Sequence, residues 1–296
     1  MLRSMYAGIS GMKGFQAKLD TIGNNIANVN TYGYKKGRVT FQDMMSQTVS
    51  GAQGPIGDDA NNNLRGGINP SQVGLGSQIG SIDTIHTQGN RQTTSRPLDL
   101  ALEGDGMFVL AEGTETADIN TNTKTIALDD VNLSFTRAGN FYLDDDGAIV
   151  SPEGKYVIGE TDGEAEIITI PEDAQSFSIQ TDGTVNYVDN QGEPQEAGQI
   201  RLAQFSNPSG LQKIGGNTFQ NTDNAGLFTD DNGQIALLEA GQDGTGQMVS
   251  GALEMSNVDL AEAFTEMITA QRGFQANTRI ITTSDEILQE LVNLKR

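Results

Sequence analysis

The stretch NVDLAEAFTEMITAQRGFQANTRIITTSDEILQELVNLKR, Asn257 to Arg296, decides the fold. Leu260, Met267, Phe274, Ile281 and Leu288 recur every seven positions. Ile280, Ile287, Leu291 and Leu294 add a second row, and Phe264, Ile268 and Val292 widen the stripe. This spacing predicts a long amphipathic helix with coiled-coil periodicity. Ser256 or Asn257 is expected to cap it, with Asp259 in its first turn. An apolar stripe of that length needs a partner. The first thirty residues offer one, with Leu2, Met5, Ile9, Met12, Leu19 and Ile26 on the same spacing and Tyr6, Phe15, Ile22 and Val29 beside them. Gly8, Gly11, Gly14 and Gly23 each lower that helix's intrinsic stability by roughly 1 kcal/mol relative to Ala, so packing must hold it. The two helices are expected to pair, parallel or antiparallel, with the rest of the chain inserted between them.

The chain has 296 residues and a net charge of −21, and the charge is unevenly placed. Residues 1–50 hold six Lys/Arg against two Asp/Glu, and residues 257–296 hold four against six. The ends carry +4 and −2, which leaves −23 for the insert. An insert of that sign repels nucleic acid and anionic membranes. No run of eighteen apolar residues predicts a membrane span, and the N-terminus lacks the pattern of a cleaved secretory signal. Cysteine is absent and His86 is the single histidine. Thiolate chemistry, disulfides and Cys metal sites are thereby excluded, and the single histidine removes nearly all triad and His-cluster chemistry. His86, among polar neighbours, reads as a surface or hydrogen-bonding side chain.

Between the ends, NNIANVNTYGYKK (Asn24–Lys36) reads as a polar turn. Asn28, Asn30 and Gly33 suit positive φ, and the Tyr and Lys residues suit a solvated cluster. Residues 51–80 read as an extended or poorly structured connector. Gly74, Gly76 and Gly80 lack the spacing and the Lys-Ser/Thr of a phosphate loop. Residues 98–110 predict two short strands around Gly104-Asp105-Gly106, and 111–132 a loop or irregular hairpin. Leu133–Gly159 predicts a meander with turns at Gly139-Asn140, Asp146-Gly147 and Glu153-Gly154. Asp144, Asp145 and Asp146 lack the alternation of a calcium loop and read as a hairpin turn. Further strands near 167–170, 177–179, 185–188 and 200–205, with turns at Asp182-Gly183, Asn190–Gly192 and Asn232-Gly233, complete an all-β insert. A loop, Gly241–Gly246, leads back to the last helix.

The predicted class is α+β: long terminal helices in a coiled-coil-like core, with an inserted, mainly antiparallel β domain. The expected domains are 1–35 with 257–296 as the helical core, 36–95 with about 246–256 as connector, and 96–245 as the β domain. No catalytic residue, cofactor or metal is expected. A glycosidase pair of carboxylates has no Trp platform to work with, and no Gly-x-Ser-x-Gly elbow occurs.

Four stretches carry a family resemblance: NNIANVNTYGYKK, LDLALEGDGMF, FTRAGNFYLDDDGAIVSPEG (Phe135–Gly154) and EMSNVDLAEAFTEMITAQRGFQANTRIITTSDEILQELVNLKR. The chain resembles the bacterial flagellar rod and hook axial proteins. The residues matching the family motif are Asn24, Asn25, Asn28, Thr31, Gly33, Tyr34, Arg137, Gly139, Asn140, Phe141, Asn257, Gln271 and Arg272. Ala263 stands where acidic residues are common in the family, a departure expected on an exposed face. The resemblance implies a self-assembling tube with helices innermost and the acidic β domain outermost. TYGYKK, NVDL, AQRGFQAN and LVNL are hook-like, which implies a subunit of the flexible hook that passes motor torque to the filament. The distal rod is the alternative, because a hook protein often has a larger outer domain. A surface adhesin or matrix β protein is the alternative of another class. The implied partners are further copies of the chain, the rod, the hook cap, the hook–filament junction proteins and the type III export apparatus. Neither nucleic acid nor membrane insertion is implied, and the implied location is extracellular, reached without a cleaved signal. The assembly contacts are expected from Leu2, Met5, Ile9, Met12, Leu19, Ile26, Leu260, Phe264, Met267, Phe274, Ile281, Leu288 and Leu291.

Overall fold

A computed structural model describes residues 2–57, 63–113, 131–161, 164–229, 236–242 and 244–294. The protein is α+β, with a helix near each end (α1, Leu2–Ala27, and α2, Leu260–Leu294) and antiparallel strands between them. It forms two compact units. One comprises 1–26, 37–83 and 259–296, and the other 27–36 and 84–258.

The larger unit is built on one branched sheet. Its longest path runs Ser176–Ile179, Thr184–Val188, Pro194–Ile200, Tyr156–Thr161, Met107–Glu112, Asn132–Thr136, Thr218–Gln220, Gln212–Gly215. The central strand Met107–Glu112 shows why. Phe108 and Leu110 point into one apolar cluster with Leu100, Leu102, Phe141, Ile149 and Ile200. Met107, Val109 and Ala111 point into a second with Phe135, Ile158, Ile167 and Phe219. A strand with side chains of period two must be apolar throughout when both its faces are covered. Phe108 meets Phe141 edge-on at 5.2 Å, and Phe135 meets Phe205 at 4.9 Å. Each ring edge thereby faces a ring face, the arrangement their quadrupoles favour.

Leu100–Glu103 and Met107–Glu112 are both strands, but they are not partners. The first pairs with Gln247–Ser250 and the second stays in the main sheet. Gly104 and Gly106, both at positive φ, let the chain change sheets there. The Asp144–Asp146 run is a turn. Gly147 N donates to Asp144 O, and Asp144 N donates to Ala148 O. The expected loop or hairpin at 111–132 falls mostly on residues outside those described, as does the Asn232-Gly233 turn.

In the smaller unit, Gly37–Asp43 pairs with Ser77–Thr84, and Ser46–Ser50 with Ser71–Gly74. Much of the expected connector is therefore regular β ribbon. α2 begins two or three residues later than expected. Asp259 Oδ1 accepts from Ala261 N at 2.8 Å and Glu262 N at 3.3 Å, so Asp259 is the cap and Asn257 is not. The α1–α2 contacts run in antiparallel order, with Gly8 against Ile281, Gly11 against Asn277 and Phe15 against Gly273. A β-carbon on Gly273 would come within 2.5 Å of the Phe15 ring. Gly8, Gly11 and Gly273 thus leave room for the side chains of Ile281, Asn277 and Phe15 from the other helix.

The fully buried row of α2 is Ala263, Ala270 and Ser284, where Ser284 Oγ donates to Ile280 O at 2.7 Å. It is offset from the expected apolar row. Met267, Phe274, Ile281 and Leu288 are half-buried beside it.

Candidate functional site: the joint and the assembly face

The chain passes between the two units at 26–27, 36–37, 83–84 and 258–259. Within the larger unit, the segments bearing those crossings are bound to one another. Gly33 N donates to Glu254 O, Asn257 N to Tyr34 O, Ile85 N to Lys36 O, and Met255 N to Asn90 O. Asn257 adds side-chain bonds in three directions. Its Oδ1 accepts from Lys36 N at 2.8 Å, and its Nδ2 donates to Ile85 O at 2.8 Å and to Thr87 Oγ1 at 3.0 Å. Asn257, one of the two residues expected to cap α2, instead ties its own segment to two others.

Beneath these bonds lies a buried charge cluster. The side chains of Lys35 and Glu254 are 1% and 0% exposed, with Nζ 2.6 Å from Oε1. Arg137 Nε stands 3.1 Å from Glu254 Oε2. Gly89 N donates to Glu254 Oε1, Lys35 Nζ to Thr87 O, and the Arg137 guanidinium to Gly104 O and Gly106 O. One carboxylate therefore holds two buried cations from different parts of the chain. Burial pushes the Lys35 ammonium below its usual range and Arg137 adds to that, while Glu254 opposes it. Lys35 is thus no member of a solvated cluster.

Gly33, at φ +66°, is pressed against the backbone of Arg137 and Ala138, where a β-carbon would lie 2.6 Å from Ala138 N. Asn28 and Asn30 are absent from the positive-φ residues. Asn28 Oδ1 instead accepts from Thr31 Oγ1. Tyr34 is buried under Lys213, whose Nζ sits 4.8 Å from the ring centre. Gly139 passes close to Leu100, Asn140 bridges Asp99, and Phe141 enters the core.

His86 overturns the expectation of a surface or hydrogen-bonding residue. Its ring lies 5.4 Å from that of Phe219, and neither ring nitrogen has a hydrogen-bond partner among the described residues. Burial, reinforced by Lys35, Lys213 and Arg137, pushes its pKa down to about 4.

In the smaller unit Asn25 is buried and exchanges both amide bonds with Gly37, fixing the end of α1 to the first ribbon strand. Asn24, Gln271 and Arg272 lie on the outer faces of their helices. Of the expected assembly residues, Met5, Ile9, Met12, Leu19 and Ile26 are half-buried, and the Leu2 side chain lies outside the described residues. Leu260, Phe264 and Leu291 are exposed, and Ile268, Ile280, Ile287 and Val292 extend their surface along α2. No helix among the described residues is long and apolar enough to cross a membrane.

Three family descriptions match the chain in order. Flagella basal body rod protein matches residues 5–35, the flagellar hook protein FlgE/F/G D1 domain 125–187, and the flagellar basal body rod FlgEFG protein C-terminal region 249–294. Over all of both chains, this one is 53% identical to the flagellar basal-body rod protein FlgG of Bacillus subtilis (strain 168). It is 37% identical to the FlgG of Caulobacter vibrioides, across 99% of this chain and 100% of that one. It is 31% identical to the flagellar hook protein FlgE of Borreliella burgdorferi over all of both chains, but in an alignment of 454 positions. The chain belongs to the flagellar rod and hook axial protein family. It is a structural subunit of the flagellum and not an enzyme. The first family match ends on Lys35, and the last contains Glu254 and Asn257. Glu254 and Lys35 escaped the sequence reading because a charged residue in a short polar context gives no sign of burial. The one available signal was Glu254 following Ala252 and Leu253, directly before the final helix.

Two outcomes are expected of this axial protein. Glu254→Gln leaves two buried cations without their counter-charge, and should cost about 3–5 kcal/mol in urea unfolding of the larger unit. For His86, the unfolded chain binds a proton below pH 6.5 while the native one resists until about pH 4. Stability is therefore lost as pH falls through that window, by about 2–3 kcal/mol. His86→Leu should remove this component. Urea melts at pH 4.5 and 7 should show the wild type losing more stability than the variant, and parallel losses would contradict the assignment.

Proposed function

We propose that this chain is a subunit of the distal rod of the flagellar basal body, and that it polymerises through its terminal helices into a tube. The hook reading drawn from TYGYKK, NVDL, AQRGFQAN and LVNL gives way to its alternative. The observation that carries this is colinearity. The FlgG of Bacillus subtilis aligns over 296 positions, end to end, without the gaps that the 454-position alignment with a hook protein needs. A chain without that extra length has one β unit to offer an outer surface.

The exposed apolar surface of α2 supports the assembly part. Leu260, Phe264, Ile268, Ile280, Ile287, Leu291 and Val292 are between 41% and 65% exposed. So much apolar surface on one helix marks an interaction face. Burying it on copies of the chain, by a repeated heterologous contact, gives an open helical array. In this reading the terminal helices carry the contacts that build the tube. The other proposed neighbours are the rod segments below, the hook above and the type III export apparatus that delivers the unfolded chain. The location is the extracytoplasmic part of the flagellum.

The test is electron microscopy of basal bodies from a strain lacking this chain, complemented with wild type or with Phe264→Asp/Ile268→Asp. Without the chain, and with the variant, basal bodies should lack the distal rod, while the purified variant keeps the wild-type thermal transition of its β unit. Complete rods without hooks would restore the hook reading.

A further inference from the structure

The buried cluster opens onto a cavity of about 250 Å³, lined by Lys35, His86, Asp105, Arg137, Gln204 and Ser206 among others. Counting Lys213, which lies outside its lining, three cations stand around it against the two carboxylates of Glu254 and Asp105. Lys35 and Arg137 share the single carboxylate of Glu254, and Lys213 stands close enough to act on the same imidazole. Asp105, at the exposed turn between two strands, is the acidic group lining the space. Lys35 and Arg137 are 1% and 4% exposed, so water screens them weakly. Lys35 Nζ uses two of its three protons, on Thr87 O and Glu254 Oε1. His86 brings a ring N–H and a ring nitrogen with no partner among the described residues. Buried polar groups left unpaired are uncommon and cost free energy, and a positive, donor-rich cavity meets that cost best with an anion.

We propose that this cavity binds a small oxyanion, of the size and charge of sulfate or phosphate. The anion accepts from Lys35 Nζ and from the His86 ring, and it offsets the excess positive charge of the joint. Occupancy favours the protonated imidazole, so the anion and a proton on His86 bind with positive coupling. Lys35, Arg137, Lys213, Glu254 and Asp105 are the charged groups that set this balance. Asp105 opposes the anion. The inference stands apart from the choice between rod and hook.

His86 is the single histidine, so its ring proton resonances report the site without assignment of the whole spectrum. The experiment is a titration of the full-length chain at pH 6 with sodium sulfate, against sodium chloride at matched ionic strength. Sulfate should shift the His86 resonances saturably, and chloride should not. Asp105→Asn, which removes a like charge from an exposed position, should tighten the sulfate midpoint by about threefold. Misfolding cannot produce that gain. Equal shifts with both salts, or a sulfate effect that does not saturate, would overturn the proposal. Saturable binding left unchanged by Asp105→Asn would also overturn it, as an adventitious ion only.

Discussion

A carboxylate buried with two cations is the constraint on which this fold depends. The Glu254 side chain has no exposed surface and ends the strand directly before the final helix. Left alone in that environment it would be strongly destabilising, as would Lys35 or Arg137. Each is tolerable only when the others are in place, and the three are separated by 102 to 219 positions in the chain. The turn after α1, the β unit and the return strand must therefore all be present for any of them to settle. Asn257 and Gly33 complete the same requirement with uncharged groups. One satisfies backbone donors and acceptors on two other segments, and the other lets the turn lie flat on Arg137.

This arrangement separates the protein's tasks. The charge cluster and the two-faced β core supply a unit with its own interior. The last helix buries a row of small residues and leaves several large apolar ones exposed. In an ordinary globular chain that would be a defect. In a subunit of a flagellar axial structure it is the surface we propose for contact with another copy. The acidic insert carries most of the net negative charge, which favours hydration and repulsion between copies of that part of the chain.

Much of this was legible from residue patterns. Seven-residue spacing located both helices to within a few positions. Gly-Asp and Asp-Gly pairs located the turns at 104–106, 146–147 and 182–183, because a tight turn at positive φ has few chemical solutions. Patterns of this kind are local, and the features they missed are not. Asn257 precedes a helix in sequence and looks like its cap, yet its partners are 170 to 221 residues away. His86 has polar sequence neighbours and an aromatic spatial one. The buried row of α2 is Ala263, Ala270 and Ser284, all small, whereas apolar periodicity weights the largest residues.

Hydrogen exchange on the monomeric full-length chain tests the central claim, that the joint belongs to the β core in stability. The account predicts that the amides of Gly33, Ile85, Met255 and Asn257 exchange as slowly as those of Val109 and Phe135, and far more slowly than those of α2 beyond Phe274. Joint amides exchanging at the rate of the helix would contradict it, and would make the buried charges a consequence of assembly.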